Sequence, residues 1–171
     1  MKMTSFAVAF LLVAVLAVPL GWAQKYDDKE HAELAKALKD AKVSLQRGLT
    51  ASAKEGKPIS AKYEVEDGKL QLSVYTMKGD KFSEVIVDHQ AGKVAKAEPI
   101  SGGDDLAAAK AQSGAMAKAK RSLEAAANDA VKHNQGYRVV SVLPALKDGR
   151  PVADVTLLKG ADWKTVSQKL D

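Results

Sequence analysis

The stretch "EVEDGKLQLSVYTMKGDKFSEVIVDHQAGKV", residues 64–94, decides the fold, because two tight turns divide it into three strands. Asp67-Gly68 is a strong signal for a two-residue hairpin, since both central positions of a type I′ turn need a positive φ. A second turn at Gly79-Asp80 sets the third strand. The stretch therefore predicts a three-stranded antiparallel meander.

The two turns also fix which residues face each other across the strands. The expected partners are Val65–Leu70, Tyr63–Leu72, Ala61–Val74 and Glu66–Lys69 in the first hairpin, and Val74–Val85, Leu72–Val87 and Met77–Phe82 in the second. The turns are read independently, yet both place Tyr63, Leu72 and Val87 in one apolar row. A helix is expected to pack on this face.

Helical patterns precede each strand-rich region. Residues 27–54 carry an apolar stripe at spacings of three and four, formed by Leu34, Leu38, Ala41, Leu45 and Leu49. An Ala-rich helix is expected from about residue 104 to 133, after the turn-rich linker "EPISGGDD" at 98–105. Each pattern predicts one continuous helix.

The C-terminal stretch "SVLPALKDGRPVADVTLLKGADWKTVSQKL", residues 141–170, is a weaker copy of the opening one. Its turns at Asp148-Gly149 and Gly160-Ala161 predict a row of Val142, Val155 and Val166. Asp67-Gly68 precedes Asp148-Gly149 by 81 positions, and Ser44-Leu45 precedes Ser122-Leu123 by 78. The sequence thus predicts an α+β fold of two repeats, each a helix followed by a three-stranded antiparallel meander.

Apolar residues also mark the face of each meander that should point away from its helix. Under the offset of 81, Met77 and Phe82 match Leu158 and Trp163. The candidate partner-binding residues are Tyr75, Met77, Phe82, Leu158 and Trp163. The simpler alternative, which we favour, is that the two copies come together and cover these side chains.

The first residues predict export. Lys2 precedes an uncharged apolar run of 15 residues from Phe6 to Leu20, and Gly21 and Ala23 place small residues at the −3 and −1 positions of a cleavage site. This pattern is typical of a secretory signal peptide, and the run is short for a membrane span of about 20 residues. We expect cleavage after Ala23 and a mature chain that begins at Gln24.

Composition excludes several function classes. The chain has 171 residues, a formal charge of +5 and no cysteine, so thiol chemistry, thiolate metal sites and lipoprotein acylation are excluded. The basic residues are dispersed and Lys far outnumbers Arg, which argues against nucleic-acid binding.

Motifs for catalysis are not found. His31, His89 and His133 lie in no metal-binding spacing, and no phosphate-binding loop or nucleophile elbow occurs. The pairs Asp27-Asp28 and Asp104-Asp105 fall at expected helix starts, where negative charge is favourable without any catalytic role. We therefore expect a protein that is not an enzyme and holds no metal or cofactor.

The first copy resembles the PepSY domain, a helix followed by an antiparallel meander with an Asp-x-x-Ala-Gly ending. The matching residues are "GKPISAKYEVEDGKLQLSVY" at 56–75 and "DHQAGKV" at 88–94. The second copy departs from the pattern, because Pro144 and Pro151 make its hairpin less regular and the Asp-x-x-Ala-Gly tail is missing. The implied units are a signal peptide (1–23), a first PepSY-like repeat (24–98), a linker with the start of the second helix (99–111) and a divergent second repeat (112–171).

PepSY domains occur in exported and membrane-attached bacterial proteins, including propeptides of secreted metallopeptidases, and are proposed to inhibit or regulate peptidases. The resemblance implies a periplasmic or secreted binding module whose partner is an exported or membrane-anchored protein, and it supplies no catalytic residues. Its contact surface would be the second sheet face or an exposed strand edge. A carrier of small molecules or ions, with a cavity lined by polar groups, and a structural envelope protein are the alternatives.

Overall fold

The computed structural model describes residues 28–171, and the predicted signal peptide lies outside them. These residues form an α+β fold in which helices cover a single antiparallel sheet. The helices are α1 (Asp28–Ala37), α2 (Leu45–Ser52), α3 (Gly103–Lys118) and α4 (Leu123–Lys132), with a short 3-10 helix at Leu38–Asp40. The strands are β1 (Lys57–Glu66), β2 (Lys69–Lys78), β3 (Lys81–Val87), β4 (Val94–Ile100), β5 (Arg138–Lys147), β6 (Arg150–Lys159) and β7 (Asp162–Lys169).

The sheet has seven strands in the order β4-β3-β2-β1-β5-β6-β7. Residues 28–100 contribute β1 to β4, and residues 103–171 contribute β5 to β7; we call these the first and second halves. The halves meet at the centre of the sheet, where β1 and β5 pair antiparallel through Ala61–Val142 and Lys62–Ser141. The fold class is therefore confirmed as α+β, with one sheet shared by both halves.

The hairpin registers agree with the sequence pattern. Tyr63 lies opposite Leu72, Leu72 opposite Val87 and Met77 opposite Phe82, as the two turns predict. In the second half Val155 pairs with both Val142 and Val166. Asp67 and Asp148 adopt positive φ angles of 49° and 51°, which the type I′ turns require.

The prediction of one continuous helix in each half was wrong. Ala41 is extended (φ −75°, ψ 119°), and so is Ala119 (φ −76°, ψ 137°), so each helical region breaks in two. The second helix of each half restarts at a serine cap: Ser44 Oγ accepts from Arg47 N, and Ser122 Oγ accepts from Ala125 N, at 3.2 and 3.1 Å. Such caps satisfy main-chain donors that a helix start leaves free, and the periodicity of apolar residues does not reveal them.

The predicted linker at residues 98–105 is partly a strand. β4 pairs with β3 from Phe82–Ile100 to Val87–Val94, which gives the first half a fourth strand. The first half therefore differs from the predicted unit of one helix and three strands.

Much of the core lies between the sheet and the second helix of each half, and residues of α1 and α3 also contribute to it. α2 packs on the sheet face that carries Tyr63 and Leu72, which we call the helix face, and α4 packs beside α2. The apolar stripe predicted before β1 is buried at Leu34, Leu38, Leu45 and Leu49. The opposite face, with Ser60, Ser73 and Tyr75, is called the second face.

The two halves share a main-chain irregularity at equivalent places. The β1–β2 register shifts around Ile59, and the β5–β6 register shifts around Val140, which is 81 positions later. Both side chains are fully buried. A bulge bends its strand and increases the local twist. The two central strands therefore bend at matched positions.

Candidate functional site

The five candidate partner-binding residues lie mostly inside the molecule. Tyr75, Phe82 and Leu158 are only 8%, 9% and 5% exposed, while Met77 and Trp163 are half-buried. These side chains therefore form no open apolar surface on the second face.

Helix α3 contacts Tyr75 and Met77, two of the three candidates in the first half. Tyr75 Oη donates to Asp105 Oδ1 at 2.7 Å, and Ser113 Oγ donates to Met77 Sδ at 2.9 Å. α3 belongs to the second half, so these contacts join the two halves. These positions agree with the alternative in which the two copies come together and cover these side chains.

A helix of the first half reaches a candidate residue of the second half. His31 in α1 stacks on Trp163 in β7, with ring centroids 4.2 Å apart. The first helix of each half thus contacts the sheet of the other half. Tyr75, Met77 and Trp163 therefore lie at contacts between the two halves, while α1 and α3 each also pack on strands of their own half.

A polar network lies on the second face beside α3. Lys62 Nζ and Glu64 Oε2 are 2.6 Å apart, and Ser73 Oγ donates to Glu64 Oε1 at 2.8 Å. Ser60 Oγ donates to Gln112 Oε1 of α3 at 2.7 Å. The network satisfies polar groups that burial would otherwise leave without partners.

Burial perturbs the ionisable groups of this network. Desolvation, with the hydrogen bond to Asp105, raises the pKa of Tyr75. Desolvation is also the main reason why the pKa of Glu84 is raised, and the nearby charges of Glu64 and Asp105 act in the same direction. A small cavity of about 170 Å³ opens here, lined by Ser60, Lys62, Ser73, Tyr75, Asp105, Ala108, Gln112 and Leu143.

Two larger clefts lie where the halves meet. The first cleft, about 390 Å³, is lined by Ala41, Lys42, Val43, Ser44, Leu45, Gln46, Val131, Tyr137, Arg138 and Val139. The second cleft, about 400 Å³, is lined by Leu49, Thr50, Ala53, Lys57, Pro58, Met116, Ala119, Lys120, Arg121, Ser122, Leu123 and Glu124. Each combines the helix junction of one half with the first strand of the other.

The two clefts occupy equivalent places in the fold. Residues 41–46 of the first cleft match residues 119–124 of the second at an offset of 78. Arg138 and Val139 match Lys57 and Pro58 at an offset of 81. The sequence analysis did not identify these clefts, although Ala41-Lys42 and Ala119-Lys120 recur at the same spacing as the serine caps.

The rims of the clefts are basic, but their cations are used differently. In the first cleft Lys42 is exposed, but Arg138 Nη1 donates to the Leu38 carbonyl at 2.7 Å and its guanidinium lies over the Tyr63 ring. In the second cleft Lys57 and Lys120 are exposed and form no ion pair within residues 28–171. The second cleft therefore offers cations to an outside group.

The floor of the second cleft is apolar. Leu49, Met116 and Leu123 are each at most 3% exposed, and they line the cleft together with Lys57, Lys120 and Glu124. Arg121 is held by Asp129 and by the Lys169 carbonyl, so it contributes a fixed charge. This arrangement can accept an apolar side chain flanked by acidic groups.

The Asp-x-x-Ala-Gly turn is stabilised by its own side-chain and main-chain hydrogen bonds. Asp88 Oδ1 accepts from the main-chain N–H groups of Gln90 and Ala91, and these bonds hold the pKa of the Asp88 carboxyl below its usual value. Gly92 has a φ of +67°, and a Cβ there would lie 3.1 Å from Arg47 Cγ. The turn therefore requires both an acceptor at its start and a glycine at its end.

This turn docks against the break between α1 and α2. The His89 carbonyl accepts from Lys42 N and Val43 N at 2.9 and 3.1 Å. In the second half the Leu170 carbonyl accepts from Lys120 N and Arg121 N at 2.7 and 3.1 Å. Both halves thus lock their helix junction to the end of a strand, although the second half lacks the motif.

One buried polar atom remains unsatisfied within residues 28–171. His89 Nδ1 has no hydrogen-bond partner there. His89 lines a groove of about 550 Å³ together with Glu33, Asp40 and Lys69. No three His, Asp or Glu side chains in the described part of the chain are grouped so that they could hold a metal ion.

No helix within residues 28–171 is long and apolar enough to cross a membrane. No family model, curated protein or solved structure matches this chain.

Proposed function

We propose that the chain contains two PepSY-like units, that it is exported to the bacterial envelope, and that it acts there as a non-catalytic binding module. Its partner is an exported or membrane-anchored protein such as a peptidase, whose activity it modulates. Matched serine caps, bulges and docking carbonyls support the duplication. The apolar run before Ala23 supports export.

The observation that carries the binding role is the second cleft. Its floor is apolar, and Lys57 and Lys120 on its rim are exposed. Clefts of several hundred cubic ångströms with an apolar lining and a few charged groups are the usual form of a binding site. We propose that it takes an apolar side chain of a partner polypeptide, with acidic residues beside the two lysines.

The test starts with residues 24–171 immobilised against envelope proteins of the host, followed by purification of an enriched partner. The partner is then titrated with the parent chain, with a Lys57→Glu/Lys120→Glu variant, and with a Lys78→Glu/Lys81→Glu control whose changes lie outside both clefts. Weaker binding and a smaller salt dependence for the first variant alone would support the cleft. Equal affinity for all three proteins would exclude it.

If the partner is a peptidase, its activity is measured with and without the chain. Modulation that is lost with the Lys57→Glu/Lys120→Glu variant would connect the cleft to regulation. Binding without any change in activity would leave a binding role and reject the regulatory one.

The small cavity on the second face favours a second candidate function, carriage of a small polar molecule. Ser60, Lys62, Tyr75 and Gln112 converge there, which is the arrangement that a carrier needs. A thermal-shift screen of small polar compounds tests this function. A stabilising compound whose effect disappears in Lys62→Met would support carriage, and a screen without any shift would reject it.

A further inference from the structure

The strands β3 and β7 occupy equivalent positions but have different neighbours. Phe82 to Val87 of β3 match Trp163 to Gln168 of β7 at an offset of 81. β3 pairs with β2 on one side and β4 on the other, whereas β7 pairs only with β6 within residues 28–171. The outer side of β7 is therefore an edge of the sheet where the first half has a strand.

The main chain of β7 is oriented to pair outward. Lys159 and Asp162 flank the two-residue turn, and alternate residues of an antiparallel strand direct their N–H and C=O groups to opposite sides. Thr165, Ser167 and Lys169 therefore face away from β6. Consistent with this, the Lys169 carbonyl accepts from Arg121 Nη1.

The missing neighbour leaves apolar side chains partly exposed. Val85, beside β4, is fully buried, while the equivalent Val166 in β7 is only half-buried. Phe82 is 9% exposed, and the equivalent Trp163 is half-buried. A further strand beside β7 would cover both side chains.

The opposite edge of the sheet, formed by β4, is protected against pairing. This difference indicates which molecule pairs with β7. Pro99 of β4 lies opposite Ser83, a position that faces outward, so it removes an N–H from that edge. The β3–β4 register also shifts between Ile86 and Val87. β7 has neither a proline nor a register shift. Within residues 28–171 β7 is thus the less protected edge, and a molecule that pairs through one edge forms closed pairs rather than filaments.

We propose that two copies of this chain pair through β7, antiparallel about a two-fold axis, and join their seven-stranded sheets into one of fourteen strands. Side chains stay on their own faces only if each residue meets one of the same parity. The register centred on Val166 satisfies this condition. It places Val166 against its own copy and Thr165 against Ser167, which exchange main-chain hydrogen bonds.

This register is also electrostatically favourable. Lys164 meets Gln168, and Trp163 meets Lys169, a combination that allows a cation–π contact. No two like charges stand directly opposite each other. The neighbouring register centred on Thr165 would instead place Lys164 against Val166.

The first test compares residues 24–171 with two proline variants by sedimentation velocity over a concentration series. Thr165→Pro removes an outward N–H of β7, and Ala97→Pro introduces the same change at an outward position of β4. We expect a dimer that Thr165→Pro dissociates and Ala97→Pro leaves intact. A parent chain that stays monomeric into the millimolar range, forms larger oligomers, or responds equally to both variants would overturn the proposal.

A charge pair keeps the proposal testable if a proline variant fails to fold. Gln168→Lys sets like charges opposite Lys164 at two symmetric places, whereas Gln168→Glu sets opposite charges there. The dimer dissociation constant should rise for the first variant and fall for the second, each by roughly two- to thirtyfold. Shifts in the same direction, or none, would overturn the register and the dimer with it.

Discussion

The two halves build equivalent cores from different side chains. In the first half Gly48 of α2 lies against Leu72, so closely that a Cβ on Gly48 would be 2.7 Å from Leu72 Cδ2. At the equivalent positions the second half has Ala126 and Ala153, both fully buried. The first half pairs a glycine with a leucine, and the second half has two alanines at these positions. The same backbone arrangement can therefore be filled by different combinations of side chains.

The halves also differ in how they lock the helix junction. The first half uses the His89 carbonyl within a glycine-containing turn, and the second half uses the Leu170 carbonyl. The same pair of N–H groups is satisfied in both. The contact therefore requires a carbonyl at that place, and the Asp-x-x-Ala-Gly sequence is one way to present it.

The largest expected effect comes from exchanging the core pairs. Leu72→Ala should lower the free energy of unfolding by about 2–5 kcal/mol, because it leaves a cavity beside Gly48. Gly48→Ala should cost about 1–3 kcal/mol by overpacking against Leu72. The double variant, which copies the second half, should be more stable than Leu72→Ala alone. Urea denaturation of all four proteins measures the coupling, and strict additivity would show that the two positions do not share space.

A smaller effect is expected when the contact between Leu170 and the helix junction of the second half is removed. Removal of Leu170 and Asp171 takes away a buried leucine and the carbonyl that serves Lys120 and Arg121. Burial of the leucine alone contributes about 1.5–3 kcal/mol, so unfolding should need correspondingly less urea. Removal of Asp171 alone is the control and should change little. If both truncated chains unfold together with the parent, the Leu170 contact does not stabilise the second half.

The smallest expected effect is on the stability of the fold at low pH, and it involves Asp88 in the first half. The pKa of Asp88 is lower in the folded chain, so its carboxylate stabilises the fold above its unfolded pKa, and this contribution is lost as the pH falls through the folded value. Asp88→Ala should lower the melting temperature at neutral pH, and the difference from the parent should shrink on acidification. Asp171→Ala provides an exposed control. A difference that is independent of pH would contradict the assignment.

Local signals predicted much of the fold. The turns at Asp67-Gly68 and Asp148-Gly149 set the hairpin registers, because two residues in a left-handed conformation leave one way to pair the flanking strands. The buried positions Leu34, Leu45 and Leu49 followed from their spacing. The helix breaks at Ala41 and Ala119 were missed, since alanine favours helix and the serine caps that restart α2 and α4 leave the apolar period intact.

The candidate site is formed by residues that are far apart in the sequence. Among the five apolar residues, Tyr75 and Met77 contact α3 and Trp163 contacts α1, and each of these helices belongs to the opposite half. The clefts unite residues such as Lys57 and Lys120, which are 63 positions apart. No local pattern brings such residues together.

By itself, the sequence determined β1 to β3 and β5 to β7, their turns and registers, and the apolar face of each half, because these depend on neighbours within a few residues. The tertiary structure decided that β1 pairs with β5, that α3 crosses to the first half, and that the outer edge of β7 has no neighbour within residues 28–171. The physical reason is that a sheet edge pairs through main-chain groups that every residue carries. Which edges meet is therefore settled by how the helices cover the faces of the sheet.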